Sequence, residues 1–163
     1  MAQRLSREEM LMEHARVAAQ RGSCSRLQVG AVFAREGRII STGYNGTPKG
    51  VSHCDHTCNC FGTLEDPTGH DEGCNALEPC LVAHHAERNG IDFAARHGLS
   101  LLDSELYVTH MPCVQCAGSL LNVGIRQITF GSPYRLTDGV ELLARAGILV
   151  LTQDQVSGKV DIW

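Results

Sequence analysis

No run in this 163-residue chain approaches the roughly 20 apolar residues needed to span a bilayer as a helix. A membrane-spanning helix is therefore excluded from the reading. The first residues, Met1-Ala2-Gln3-Arg4-Leu5-Ser6, lack the apolar core of a secretory signal, so the cytosol is the expected compartment. There is also no basic surplus. Lys and Arg number 14 against 18 Asp and Glu, a formal net charge of −4. Duplex or single-stranded nucleic acid usually demands a basic footprint, which argues against a polynucleotide partner. A mononucleotide needs only one or two placed cations and stays compatible. No internal repeat or linker interrupts the chain, and its length suits one domain spanning 1–163 with a single core.

Two residue types are plentiful: eight cysteines and eight histidines. Cys54, Cys58, Cys60, Cys74 and Cys80 share one stretch with His53, His56 and His70. In a reducing compartment such clusters more often bind metal than form disulfides, although a disulfide framework is the alternative. The stretch falls in an irregular region, 45–83, rich in Gly, Pro, Asp, His and Cys. So long a loop is unusual in a compact domain unless something staples it, and metal held by its own side chains would do so. It reads as a Cys/His-rich insertion at about 51–83.

Elsewhere the punctuation is regular. Ser6 and Glu9 have the spacing of a capping box, and Leu11, Ala15 and Ala18 follow at helical intervals, predicting a helix over 6–21. Strands are predicted over 29–34 and 39–44, joined by a hairpin turn in which Gly37 supplies positive φ. Further on come helices at 85–97, 113–122 and 138–145, and strands at 105–109, 126–130 and 148–151. Strands alternating with helices imply an α/β sandwich with crossover connections. The tail after Gln153 is polar and has no predicted element.

Two motifs carry chemistry. They are His85-Ala86-Glu87 and Pro112-Cys113-Val114-Gln115-Cys116, each at a predicted helix start. A three-residue interval puts both sulfurs on one helix face, and a helix N-terminus favours thiolates. His85, Cys113 and Cys116 then give three protein ligands. Zinc takes four, so one position is left for water, as in catalytic rather than structural sites. The metal lowers the pKa of that water, and Glu87 beside it can move protons to a substrate. A redox pair is the other reading of Cys113 and Cys116, but it leaves His85 and Glu87 unexplained. The order H-x-E followed by P-C-x-x-C is the signature of zinc-dependent nucleobase deaminases.

With these motifs, residues 8–151 resemble the deoxycytidylate (dCMP) deaminase family of the cytidine deaminase superfamily. The likeness extends to Cys24-Ser25-Arg26-Leu27-Gln28-Val29-Gly30, to Gly43-Tyr44-Asn45-Gly46-Thr47-Pro48-Lys49-Gly50, to Pro133-Tyr134-Arg135 and to the helix ending Ala146-Gly147-Ile148. The resemblance implies a three-layer α/β/α fold, a five-stranded mixed sheet flanked by helices. It implies hydrolysis of dCMP to dUMP and ammonia, supplying dUMP for dTTP synthesis. Asn45 would contact the deoxyribose, Arg26 the phosphate and Tyr134 the base, with Ala86 also at the substrate. As plain residues, Arg26 could be a solvated charge, Asn45 a turn former and Tyr134 packing. A second, structural zinc is implied, drawn from Cys24, Cys54, Cys58, Cys60 and Cys80. The resemblance further implies a homo-oligomer, usually a hexamer, with dCTP and dTTP as effectors. Mg2+ would accompany the nucleotide effector, and Tyr44, Asn45, Gly46 and Lys49 are the effector-loop candidates. One departure stands out. The family commonly continues His-Ala-Glu-x-Asn-Ala, whereas Gly90 follows Asn89 here, which predicts looser packing inside that helix. The alternatives are a deaminase of dCTP, of a 5-substituted dCMP or of a free nucleoside or base, and a non-catalytic zinc-stabilised nucleotide-binding module.

Overall fold

The computed structural model describes residues 4–24, 27–50, 83–134 and 136–156. Among them lie five helices and five strands, in the order α1 (Arg7–Ala19), β1 (Gly30–Arg35), β2 (Arg38–Tyr44), α2 (Ala86–Arg96), β3 (Glu105–His110), α3 (Val114–Asn122), β4 (Gln127–Ser132), α4 (Asp138–Arg145), β5 (Leu149–Thr152) and α5 (Gln153–Val156). None of these helices is long and apolar enough to cross a membrane.

Helix α1 begins where the capping box places it. Ser6 Oγ accepts the Glu9 amide at 3.0 Å, and the Glu9 carboxylate accepts the Ser6 amide at 2.7 Å. Its core-facing residues are Leu11, Met12, Ala15 and Ala19, so the buried stripe runs one residue beyond the expected Ala18. The β1–β2 turn has positive φ at both central residues, Glu36 (53°) and Gly37 (73°), the geometry whose twist matches the flanking strands.

The strands form one mixed sheet in the order β2-β1-β3-β4-β5. β1 pairs antiparallel with β2 and β3, whereas β3–β4 and β4–β5 are parallel. The expected five-stranded α/β/α arrangement is therefore present. Residues Ala31 to Ala34 of β1 are fully buried because both faces of this strand are covered. Ala31 and Phe33 join the core under α2 and α3. Val32 and Ala34 join Leu11, Met12, Ala15 and Tyr107 under α1. Helix α5 was not predicted. Four polar-flanked residues carry no readable period, and the helix forms by resting on α1 and the ends of β4 and β5.

Gly90 does not loosen its helix. A Cβ at that position would lie 2.6 Å from the ring of buried Phe33, and Ser41 Oγ donates to the Gly90 carbonyl at 2.7 Å. The glycine allows α2 to approach the sheet closely. Gly90→Ala gains about 1 kcal/mol of helix propensity and loses about 1–3 kcal/mol to overpacking. A net loss of stability is expected, read as a lower denaturant midpoint with unchanged m-value.

Candidate active site

Helices α2 and α3 start side by side, and each has a chemically unusual N-cap. His85 caps α2 (φ −73°, ψ 153°) and Cys113 caps α3 (φ −73°, ψ 166°), and neither side chain makes the usual capping hydrogen bond to its helix. N-cap residues ordinarily offer an oxygen to the first-turn amides. Here the imidazole and the thiol turn toward each other instead. Cys116 stands at the third helical position of α3, and N-cap and N3 side chains meet at this interval just as they do in a capping box. His85 Nδ1 lies 3.5 Å from Cys113 Sγ and 3.4 Å from Cys116 Sγ, and the three atoms fall within 4.8 Å of one another.

The donor set fits zinc. Tetrahedral bonds of about 2.1 Å to nitrogen and 2.3 Å to sulfur put those atoms roughly 3.6 Å apart, close to the observed spacing. Three donors of this kind leave a coordination position for a small molecule. His85 is exposed, Cys113 half-buried and Cys116 buried, so the group opens to solvent on the imidazole side. His84 turns away, its Nε2 lying 2.7 Å from Asp92 Oδ2.

Glu87, on the first turn of α2, is only 3% exposed. Burial, the largest influence, raises its pKa above the usual carboxylate range, and its carboxyl group is hydrogen-bonded to the Cys116 thiol. The hydrogen bond from Cys116 lowers the Cys113 pKa to about 3, while the same bond and burial push Cys116 up. The hydrogen bond to Cys113 raises the His85 pKa.

The remaining sequence candidates are placed as follows. Ala86 is fully buried between His85 and Glu87. Asn45 is 7% exposed. Its Oδ1 accepts the Val29 amide at 2.8 Å and its Nδ2 donates to the Leu27 carbonyl at 2.7 Å, so the side chain anchors the loop that leads into β1. Gly46 exchanges two backbone hydrogen bonds with His84, at 3.1 and 2.7 Å. Tyr44 and Lys49 are exposed, as is Tyr134 just past β4, which is therefore not core packing. Cys24 is a half-exposed free thiol. Arg26, Cys54, Cys58, Cys60 and Cys80, and the insertion up to residue 82, lie outside the described residues. In the sequence, Asn89 stands out only as part of the pattern that follows His85-Ala86-Glu87. Its Oδ1 accepts the Tyr44 amide at 3.2 Å and ties α2 to the end of β2. A polar residue three positions before Asp92 on a helix carries no signal for such a cross-element bond.

A cavity of about 330 Å3 opens on the other side of the sheet, between α1, the ends of β3 and β4, and α5. Its lining includes Arg16, Gln28, His110 and Gln153 but none of the donors, so it has no part in the chemistry described above.

Residues 5–132 match the cytidine and deoxycytidylate deaminase zinc-binding region. The chain belongs to this family. It is 34% identical to deoxycytidylate deaminase of enterobacteria phage T4 over 148 residues, covering 76% of this chain and 77% of that one. ComE operon protein 2 of Bacillus subtilis is 33% identical over 150 residues, covering 91% and 71%. Among solved structures, dCMP deaminase from the cyanophage S-TIM5, crystallised with dCMP and dUMP, superposes with a TM-score of 0.72 at 27% identity. That match covers 93% of this chain and 99% of the phage protein. The matched span, 5–132, contains His85, Glu87, Cys113 and Cys116.

Proposed function

We propose that this chain hydrolyses dCMP to dUMP and ammonia, with His85, Cys113 and Cys116 holding zinc and Glu87 carrying protons. One observation carries the reading. The three-donor group and a buried carboxyl stand together at the starts of α2 and α3, in a family whose S-TIM5 relative was crystallised with this substrate and product. Zinc, when bound there, supplies a Lewis acid that makes hydroxide available near neutral pH. Glu87 takes a proton from the attacking water and passes it to the ring nitrogen next to the amine-bearing carbon. It next moves the hydroxyl proton to the amino group, the C–N bond breaks, and ammonia leaves as the carbonyl forms. A carboxyl group whose pKa is raised by burial suits both halves of this exchange, because it accepts a proton and does not give it up to bulk solvent. The N-caps of α2 and α3 point the positive ends of both helices at the thiolates.

The test is a substrate panel. The zinc-loaded chain is incubated with dCMP, dCTP, a 5-substituted dCMP and cytidine, and ammonia release is followed. The expected result is preference for dCMP. A phosphate held by a charge-assisted hydrogen bond contributes about 1.5–3 kcal/mol, so deoxycytidine, added to the panel because it lacks only the phosphate, should fall behind in kcat/KM by on the order of 10- to 100-fold. Turnover of cytidine with none of dCMP overturns the phosphate assignment to Arg26.

The resemblance also supports a set of finer features. They are a second zinc on Cys24 with members of the Cys54–Cys80 group, a hexameric assembly, and control by dCTP and dTTP with Mg2+; the chain's length and its first residues suit a single cytoplasmic domain. Metal counting on the purified protein separates one zinc per chain from two. Of the effector-loop residues, Tyr44 and Lys49 are the exposed ones, and Asn45 and Gly46 are engaged with the neighbouring loop and with His84.

A further inference from the structure

We infer that Gly43 and Gly139 are positioning residues for the metal donors, each acting as a seat on which a donor-bearing stretch of backbone rests. A Cβ on Gly43, in β2, would lie 2.0 Å from the Ala86 carbonyl oxygen and 2.5 Å from the Gly90 amide nitrogen. A Cβ on Gly139, in the first turn of α4, would lie 2.1 Å from the Pro112 carbonyl oxygen and 2.8 Å from the Cys113 carbonyl carbon. Neither glycine has positive φ, so the dihedrals suit any residue, and close approach alone excludes a side chain. In both places the obstructed atoms are backbone, which no rotamer change can move aside.

The backbone concerned is that of the site. Ala86 lies between His85 and Glu87, and Pro112–Cys113 carries one sulfur. The Cβ of Gly139 would also come within 3.0 Å of the Cys113 carbonyl oxygen, which accepts the Ala117 amide at 2.9 Å and so closes the first turn of α3. Displacing that oxygen moves Cys113 and Cys116 relative to each other. Ordinary contact begins at 3.4 Å, so each added methyl group calls for a shift of more than 1 Å. A metal site tolerates about 0.5 Å. The donors, now 3.4 and 3.5 Å apart, would lose their fit to zinc before the surrounding core gave way. Gly118, within α3, differs in kind, since a Cβ there would meet nothing within 4 Å.

The inference rests on the metal reading of His85, Cys113 and Cys116 but not on the identity of the substrate. The experiment titrates chelator against the zinc-loaded protein and records the spectrum of its cobalt-substituted form. Wild type is compared with Gly43→Ala, Gly139→Ala, Gly118→Ala and Leu11→Ala. Gly43→Ala and Gly139→Ala are expected to surrender half their zinc at 10- to 100-fold lower chelator activity, the range found when a metal ligand loses its support, and to show altered thiolate-to-cobalt bands. Gly118→Ala should match wild type. Leu11→Ala, which removes packing on the opposite face of the sheet, should lower the thermal midpoint and leave zinc affinity unchanged. Should the two alanine variants fail to fold, Thr137→Gly serves in their place. It keeps Gly139 but loosens the α4 turn that Thr137 fastens to Glu141 at 2.6 Å, and a several-fold loss of zinc affinity is expected. Wild-type affinity and cobalt bands in the folded seat variants, or in Thr137→Gly if those do not fold, overturn the inference. A wild-type chain that binds no metal overturns the metal reading and this inference together.

Discussion

Glu87→Gln is expected to lower turnover of dCMP by about 10²- to 10⁴-fold while zinc stays bound, the range that a positioned general acid–base contributes. The amide is isosteric with the carboxyl group, so the buried slot beside Cys116 stays filled and the donor triangle is left alone. What disappears is a group able to take up and release a proton. The effect should fall on kcat more than on KM, because the proton moves after the substrate is seated. A second, independent signature concerns stability. Burial raises the folded-state pKa of Glu87 above its unfolded value. In the metal-free protein its ionisation therefore opposes folding, with a cost that is absent below the unfolded pKa and grows as pH rises toward the folded pKa. The metal-free Gln variant should accordingly lose less stability than wild type as pH rises through that window. An active, zinc-loaded Glu87→Gln protein would show that the proton travels by another route.

Cys116→Ser is expected to leave the purified protein with well under one zinc at the catalytic donors and with turnover reduced in the same proportion. Cys116 is the buried member of the group. Its replacement removes a thiolate that zinc binds well and leaves a hydroxyl that stays protonated at neutral pH. The wild-type site adds a pH dependence with a definite sign. Because the hydrogen bond to Cys113 and burial favour the protonated Cys116 thiol, whereas zinc takes the thiolate, loading expels a proton. Apparent affinity should thus fall about tenfold for each unit of pH lost, and loading should release about one proton. The raised His85 pKa steepens the loss once the imidazole itself protonates. Calorimetry in two buffers of different ionisation enthalpy measures the released proton. Proton-free zinc loading at neutral pH would mean that Cys116 is already a thiolate before the metal arrives.

The parts of this molecule legible in sequence are those governed by local rules. The Ser6–Glu9 capping box, the turn at Glu36–Gly37 and the start of α3 after Pro112 are each encoded within four residues. The structure places all three where the chain chemistry puts them. The donor triad was legible for a related reason. Each half sits at an N-cap, where side-chain direction is fixed by the first helical turn rather than by distant packing. What could not be read depends on contacts between segments far apart in the chain. Gly90 looks like a weak point in a helix until the ring of Phe33 is found beneath it. Asn45 reads as a ligand contact or a turn former, yet its amide also anchors Leu27 and Val29, a use no spacing rule reveals. Helix α5 is too short to carry a period and exists only because its neighbours support it.

The antiparallel seam between β1 and β3 joins Ala31 to Val108, partners 77 positions apart. Synthesis at about 5–20 residues per second separates their emergence by roughly 4–15 s. During that interval the nascent hairpin of β1 and β2, marginal by itself in water, carries an oily central strand with one side unzipped. Such a strand is a template for pairing with other chains. Expression yield should therefore depend on elongation speed and on chaperone supply more steeply than the stability of the finished molecule would indicate.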